Sequence, residues 1–318
     1  MRIFLAPMEG VVDHHMRNII SSVGGVDICV TEFIRVTDHV LPNKIFKKAC
    51  PELDENSETP ALSRGARCPV RVQLLGSNPS ALAANAARAA ELGAVAIDLN
   101  FGCPAKTVNR HKGGACLLDE TDTVFDIVNA VRKATPASTP VTAKIRLGYL
   151  NRDSYLRNAK AIEAAGANEL CVHARSKTDG YQPPAYWHYI GDIRDNLSIP
   201  VVANGEIWSL EDFKRCAEQS KCSDFMLGRG LLAKPDLALE IKQYMAGEAF
   251  NPLSWDEVCA HVRTLFERNC QSYPPKYLGN RVKQWLFYLQ RQYSEAADLF
   301  EAIKRERDEQ ALRRALGF

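Results

Sequence analysis

The chain has 318 residues, of which 46% are hydrophobic and 25% charged, with 40 Lys and Arg against 38 Asp and Glu and a formal net charge of +2. This length and mix suit one large globular domain, or a large one with a small companion, and exclude disorder, collagen and a pure coiled coil. The near balance of charge excludes a uniformly basic nucleic-acid coat but not a local basic face.

In chain order, short apolar segments predict strands at Ile3–Met8, Ile28–Phe33, Val70–Leu75, Ala96–Asn100, Val141–Arg146, Glu169–His173, Pro200–Ala203 and Asp224–Leu227. Their nearly continuous hydrophobicity suits parallel strands covered on both faces. Between them, amphipathic stretches predict helices, among them Ser80–Leu92, Thr121–Ala134, Ser154–Ala165, Ser209–Ala217 and Asp236–Met245. Ser209 with Asp212 resembles a capping box, with Asp in place of Glu. Eight strand–helix units in about 245 residues predict an α/β fold, a (β/α)8 TIM barrel, over residues 1–247. An open doubly wound sheet is the alternative. One polar insertion, Arg35 to Arg67 with the acidic run Glu52–Glu58, breaks the rhythm. A loop of that length is expected to be functional or mobile.

After Asn251-Pro252 no further strand is predicted. Ser254-x-x-Glu257 is a capping box opening a helix to about Cys270. Helices at Asn280–Gln292 and Glu295–Arg307 follow, then a short one ending near Leu316. Residues 251–318 are therefore expected to form a small all-α bundle domain. They hold eleven Lys or Arg and nine Asp or Glu, which leaves the preceding segment neutral.

No stretch approaches the roughly 20 apolar residues that cross a bilayer, and the apolar run near Met1 is too short for a secretory signal. No membrane association is expected, and a cytoplasmic location is. The ten cysteines include no Cys-x-x-Cys pair, so a zinc ribbon or thioredoxin-type motif is not expected. Cys29 and Cys171 lie in apolar runs and read as small buried side chains. Cys103, His111 and Cys116 fit no common zinc spacing, and no metal is expected.

A barrel places its active site at the C-terminal ends of its strands. Those ends carry Pro7-Met8-Glu9, Gln73, Asn100, Lys144, His173, Asn204-Gly205-Glu206 and Gly228-Arg229. The Gly-bearing turns after the last two strands suit a phosphate, and Arg229 adds a guanidinium fork. Lys144 admits three readings: a solvated strand end, a Schiff-base lysine as in barrel aldolases, or a cation beside the carbonyl edge of a flavin. Cys103 stands between Gly102 and Pro104, whose restriction extends the cysteine backbone and presents the thiol at the mouth. Gly113-Gly114 beyond it would let that loop move.

Seven segments resemble the tRNA-dihydrouridine synthases: Ala6–Asp13, Val72–Gly76, Asp98–Pro104, Lys144–Gly148, Val172–Arg175, Ala203–Ile207 and Leu227–Gly230. The resemblance covers essentially the whole chain. The Pro7–Gly10 start and Asn280–Leu286 are similar to the bacterial branch that acts on uridine 16. Two segments depart from the family pattern: His173-Ala174-Arg175-Ser176, and the basic Arg110-His111-Lys112 where small residues are common.

The resemblance implies an FMN-binding barrel followed by a helical tRNA-binding domain. It implies reduction of the C5–C6 double bond of a tRNA uridine, with NADPH as reductant, hydride arriving at C6 and a proton at C5 from the opposite face. A thiol, with its reference pKa near ~8.5, keeps its proton at neutral pH, which suits Cys103 as the general acid. Asn100 is implied at the uracil edge, and His173 close enough to touch both base and flavin. Pro7, Met8, Glu9, Gln73 and Lys144 are implied along the flavin ring. Asn204, Gly205 and Glu206 are implied near the ribityl-phosphate, with Gly228 and Arg229 at the phosphate. Arg35, Tyr181, Arg281 and Lys283 are candidate tRNA contacts, and a monomer is expected. The alternatives are a flavin barrel acting on a free pyrimidine, similar to dihydroorotate dehydrogenase, a Schiff-base aldolase, and a non-catalytic RNA-binding module.

Overall fold

The computed structural model describes residues 1–53 and 68–318. Most of the acidic run in the insertion, Asp54–Glu58, lies outside the described residues. Among the described residues nine strands form the sheet: β1 (Ile3–Leu5), β2 (Ile28–Val30), β3 (Ile34–Arg35), β4 (Val70–Leu75), β5 (Ile97–Phe101), β6 (Val141–Arg146), β7 (Glu169–His173), β8 (Val201–Asn204) and β9 (Asp224–Leu227). All pairings are parallel. β1 pairs with both β2 and β9, and β2 pairs with β4, which closes an eight-stranded ring. The open-sheet alternative is thereby excluded. The second predicted strand is broken in two: β2 stops at Val30, and β3 takes up the edge of β4 at Ile34↔Leu74.

The strands are less uniformly apolar than the sequence reading expects. Outward positions are all hydrophobic: Val70, Val72 and Leu74, then Ile97, Leu99 and Phe101, then Val141, Ala143 and Ile145, all buried under the helices. Inward positions alternate with them and are largely polar, because side chains in a strand point to opposite faces with period two. At the N-terminal end of the lumen, Arg71 pairs with Glu169, and Arg2 with Asp224 and with Glu169 at 2.7 Å. Above this ionic layer lies a short apolar plug of Phe4, Ala6, Val30, Cys171, Val202 and Met226. The cations satisfy the buried carboxylates, and the plug separates them from the mouth.

Local signals hold at the helix starts. The helix Leu210–Ser220 begins with Ser209 accepting from the Asp212 N–H. Asp212 returns its carboxylate to the Trp208 N–H at 3.0 Å, one residue before the cap. The shorter Asp side chain thus closes a variant of the box. Ser254 and Glu257 form the full reciprocal box at the start of helix Trp255–Ser272.

Beyond β9 only helices follow among the described residues, including Asn280–Leu289, Ser294–Ile303 and Glu309–Leu316. They are packed onto the barrel rather than tethered to it. Trp285 is fully buried, and its indole N–H donates to the Leu232 carbonyl at 3.0 Å. Val258, Val262, Leu265, Phe266, Leu286 and Leu289 continue the core that surrounds the barrel. Each such side chain contributes roughly 1.5–3 kcal/mol on burial. The helical segment therefore sits as a fixed wall beside the mouth.

Candidate functional site

The C-terminal ends of the strands open into a cavity of about 510 Å³, within the ~300–1,000 Å³ typical of small-ligand sites. Its lining includes Pro7, Met8, Glu9, Gln73, Asn100, Cys103, Lys144, His173, Tyr181, Asn204, Gly205, Glu206, Gly228 and Arg229. The structure therefore gathers fourteen sequence-nominated residues in one place. The reason is the strand period. Gln73, Asn100, Lys144, His173 and Asn204 all occupy inward positions at the last turn of their strands, so they converge on the floor.

The floor is a connected polar network. Gln73 Nε2 donates to Asp98 at 2.7 Å, and Asn100 Nδ2 donates to Gln73 Oε1 at 2.8 Å. Thr142 completes the Asp98 carboxyl at 2.6 Å. Burial raises the Asp98 carboxyl above its usual range, and these two donors pull it back only in part. Lys144 Nζ donates to Asn204 Oδ1 at 2.9 Å, while Asn204 Nδ2 donates to the Met226 carbonyl at 2.7 Å. The ammonium has no carboxylate within ion-pair distance among the described residues, and burial lowers it from its ordinary value. Burial also drives the His173 imidazole well down, helped by the charges of Arg146, Lys144, Arg175 and Arg229. The imidazole is neutral at pH 7.

Asn100 also shapes the turn that carries the cysteine. Its Oδ1 accepts from the N–H groups of Gly102 at 2.9 Å and Cys103 at 3.0 Å. Cys103 lines the cavity half-buried. Burial raises its thiol above the ordinary range, Glu9 adds to this, and the Ala105 N–H and Arg146 oppose it. The glycines after it do not serve motion alone. A Cβ at Gly114, whose φ is +69°, would lie 2.7 Å from the Cys103 carbonyl oxygen. Gly114 is there for close approach.

On the opposite rim, Glu206 sits at φ 58° and gathers Arg175, Trp208 and Arg229 around its carboxylate. Arg175 is fully buried. Arg229 lies under the Tyr181 ring at 4.7 Å and the Trp208 ring at 5.0 Å. A Cβ at Gly205 would come within 2.7 Å of the His173 ring, so this turn admits only glycine.

Three nominated residues stand elsewhere. Arg35 is exposed at the end of β3 and donates to the Thr107 carbonyl at 3.4 Å. Arg281 turns toward the barrel, where it pairs with Asp13 at 3.2 Å and donates to the Gly10 carbonyl. Lys283 donates to the Glu306 carbonyl. Among the described residues no cluster of His, Cys, Asp and Glu could hold a metal.

The sequence reading missed Phe33, Arg146, Trp208 and Tyr288, all of which line the cavity. Arg146 could have been found, because it stands two residues past Lys144 on the same strand face. It donates to the carbonyls of Gly102 at 2.8 Å, Ser176 at 3.1 Å and Gly180 at 3.2 Å. Tyr288 had no local signal, because only the docking of the C-terminal helices brings it to the mouth.

The dihydrouridine synthase family model matches residues 4–316. A tRNA-dihydrouridine(16) synthase of Shewanella oneidensis is 50% identical over 304 residues, covering 96% of this chain and 93% of that protein. One from Pseudomonas putida is 48% identical over 317 residues, covering 100% and 97%. Among solved structures, histamine dehydrogenase from Rhizobium sp. 4-9 is similar in fold, with a TM-score of 0.55 at 16% identity over 77% of this chain and 46% of that one.

Proposed function

The chain belongs to the dihydrouridine synthase family, and we propose that it reduces the C5–C6 double bond of uridine 16 in tRNA, with FMN bound at the barrel mouth and NADPH as reductant. The position is supported by relatives in two organisms that bear the uridine-16 name at 50% and 48% identity over nearly their full length.

One observation carries the cofactor assignment. The Lys144 ammonium opens onto the cavity with a neutral amide oxygen for a partner. A cation so placed calls for an anionic or electron-rich group in the space above it. The polar edge of a flavin fits, with Gln73 beside Lys144 and with Gly205, Gly228 and Arg229 grouped where a phosphate would rest. Pro7, Met8 and Glu9 would border the ring. When bound, the flavin supplies a hydride to C6 of the uracil.

The remaining work falls to side chains. Cys103 Sγ holds a proton at neutral pH, because burial raises its pKa, and is the acid for C5. Asn100 fixes the turn that aims that sulfur, and one of its Nδ2 hydrogens is left for the base. Neutral His173 can donate or accept a hydrogen bond without adding charge. Tyr181, 52% exposed at the rim, offers a ring face to an extruded base.

An aldolase reading of Lys144 also suits its lowered pKa, but the family match does not favour it. The direct test maps dihydrouridine in tRNA from cells lacking this protein. Loss at position 16 alone is expected. A loss at another position would overturn the position, and unchanged tRNA the activity.

A further inference from the structure

We propose that Lys106, Arg110 and Lys112 form a phosphate-gripping rim for tRNA, on the barrel side of the mouth and rigidly referenced to the Cys103 sulfur. The inference rests on the reading that tRNA is the substrate, and it concerns how that tRNA is held.

The three side chains belong to the short helix Lys106–Arg110 and the turn after it, directly past the cavity-lining Cys103-Pro104-Ala105. Val108 is buried beneath, while Lys106, Arg110, His111 and Lys112 are exposed. Lys106 and Arg110 stand four residues apart, hence on one helix face. Like charges at that spacing repel by a few tenths of a kcal/mol. No carboxylate of the same segment relieves them, since the sequence holds no Asp or Glu between Asp98 and Asp119. None of the three makes an ion pair or side-chain hydrogen bond among the described residues. Arg35 extends the positive edge, its guanidinium reaching the Thr107 carbonyl. Three cations of the C-terminal helices differ in this respect. Arg281 is taken by Asp13, Lys283 by the Glu306 carbonyl and Lys304 by Glu301.

The rim is also stiff. The Asn109 side chain donates from Nδ2 to the backbone carbonyls of Cys103 at 3.1 Å and Ala105 at 2.7 Å, and its Oδ1 accepts from the Cys116 N–H at 2.8 Å. The Ala115 N–H adds a bond to the Cys103 carbonyl at 3.0 Å. A backbone phosphate gripped here is held at a set distance from the thiol. Sequence-independent contacts of this kind fix register on a nucleic acid. They also form a set separate from whatever the helical segment touches.

The test measures the affinity of unmodified tRNA for the flavin-loaded protein across a salt series. Each phosphate contact contributes roughly 0.7–0.9 to the slope of log affinity against log salt. The combined variant Lys106→Ala, Arg110→Ala, Lys112→Ala should lower the slope by about two, with wild-type flavin occupancy and melting temperature. If that variant loses flavin, the three single variants carry the same test at about 0.7–0.9 each. A wild-type slope overturns the rim. A charge-keeping variant, Lys106→Arg with Lys112→Arg, should retain the slope, and its loss there would also overturn the proposal. Wild-type protein that binds tRNA with a steep slope yet makes no dihydrouridine would sink the functional reading while leaving the rim intact.

Discussion

The guanidinium of Arg281, on the helix Asn280–Leu289, pairs with the carboxylate of Asp13 at 3.2 Å, and Tyr273 donates to the same carboxylate at 2.8 Å. Asp13 is also the N-cap of the helix His14–Val23. One carboxylate thus ties two C-terminal residues to the loop that follows the cavity-lining Pro7–Glu9.

Arg281 is accordingly expected to act on architecture. Arg281→Ala should destabilise the protein by about 1–3 kcal/mol, since it strips a partner from a mostly buried carboxylate. The salt slope of tRNA binding should stay as in wild type. Burial pushes the Asp13 carboxyl up, but the Met16 N–H and the Arg281 charge outweigh it, so its pKa is depressed. A depressed carboxylate stabilises above its unfolded value, near ~3.9, and loses that contribution as pH falls through the folded value. The variant should therefore lose less stability than wild type on acidification below about pH 4. Urea unfolding at neutral and acid pH checks both points.

Cys103→Ala should keep flavin and tRNA affinity and lose tRNA reduction by about 10²–10⁴-fold, the usual worth of a positioned acid. An acid must be protonated to work, and burial raises this thiol above its ordinary value of ~8.5. Single-turnover reduction in wild type should hold through neutral pH and decline only above that value. A decline centred below neutrality would remove the thiol from the step.

Asn109 touches neither base nor cofactor on this reading, yet it holds the Cys103 carbonyl. Asn109→Ala should leave KM for tRNA close to wild type and lower kcat by roughly 10–100-fold, the cost of a misplaced reacting group. A change in KM alone would instead mark Asn109 as part of the tRNA-binding surface. Steady-state kinetics with saturating reductant separates the two.

Glu206→Gln leaves the fully buried Arg175 without its counter-charge. Removing one member of a buried pair costs roughly 3–5 kcal/mol. A melting temperature lower by several degrees is expected, with weaker flavin retention because Arg229 loses the same partner. Calorimetry and the flavin-to-protein absorbance ratio test the two effects separately.

Local physics made much of this legible in the sequence. The barrel strands are short apolar runs, and period-two alternation put the nominated polar residues on one face. Gly205 and the Ser254–Glu257 box announced themselves by residue type, because a close backbone approach admits little but glycine and a cap needs a short oxygen-bearing side chain. The break of the second strand at Val30 was not legible, because the polar pair Thr31-Glu32 is flanked by apolar residues on both sides, Ile28–Val30 and Phe33-Ile34. Lumen charges such as Arg71 and Glu169 were hidden inside segments that average as hydrophobic.

The chain's own order determined the strand-and-helix rhythm, the polar row at the strand ends and the placing of Cys103 before Pro104, since each depends on neighbours within a few residues. Tertiary structure alone decided that the ring closes between β1 and β9, that Tyr288 joins the cavity wall, and that Arg281 is spent on Asp13 while Lys106, Arg110 and Lys112 are left without partners among the described residues. Whether a charged side chain meets an opposite charge or water depends on contacts between residues far apart in the chain, and no local pattern encodes those.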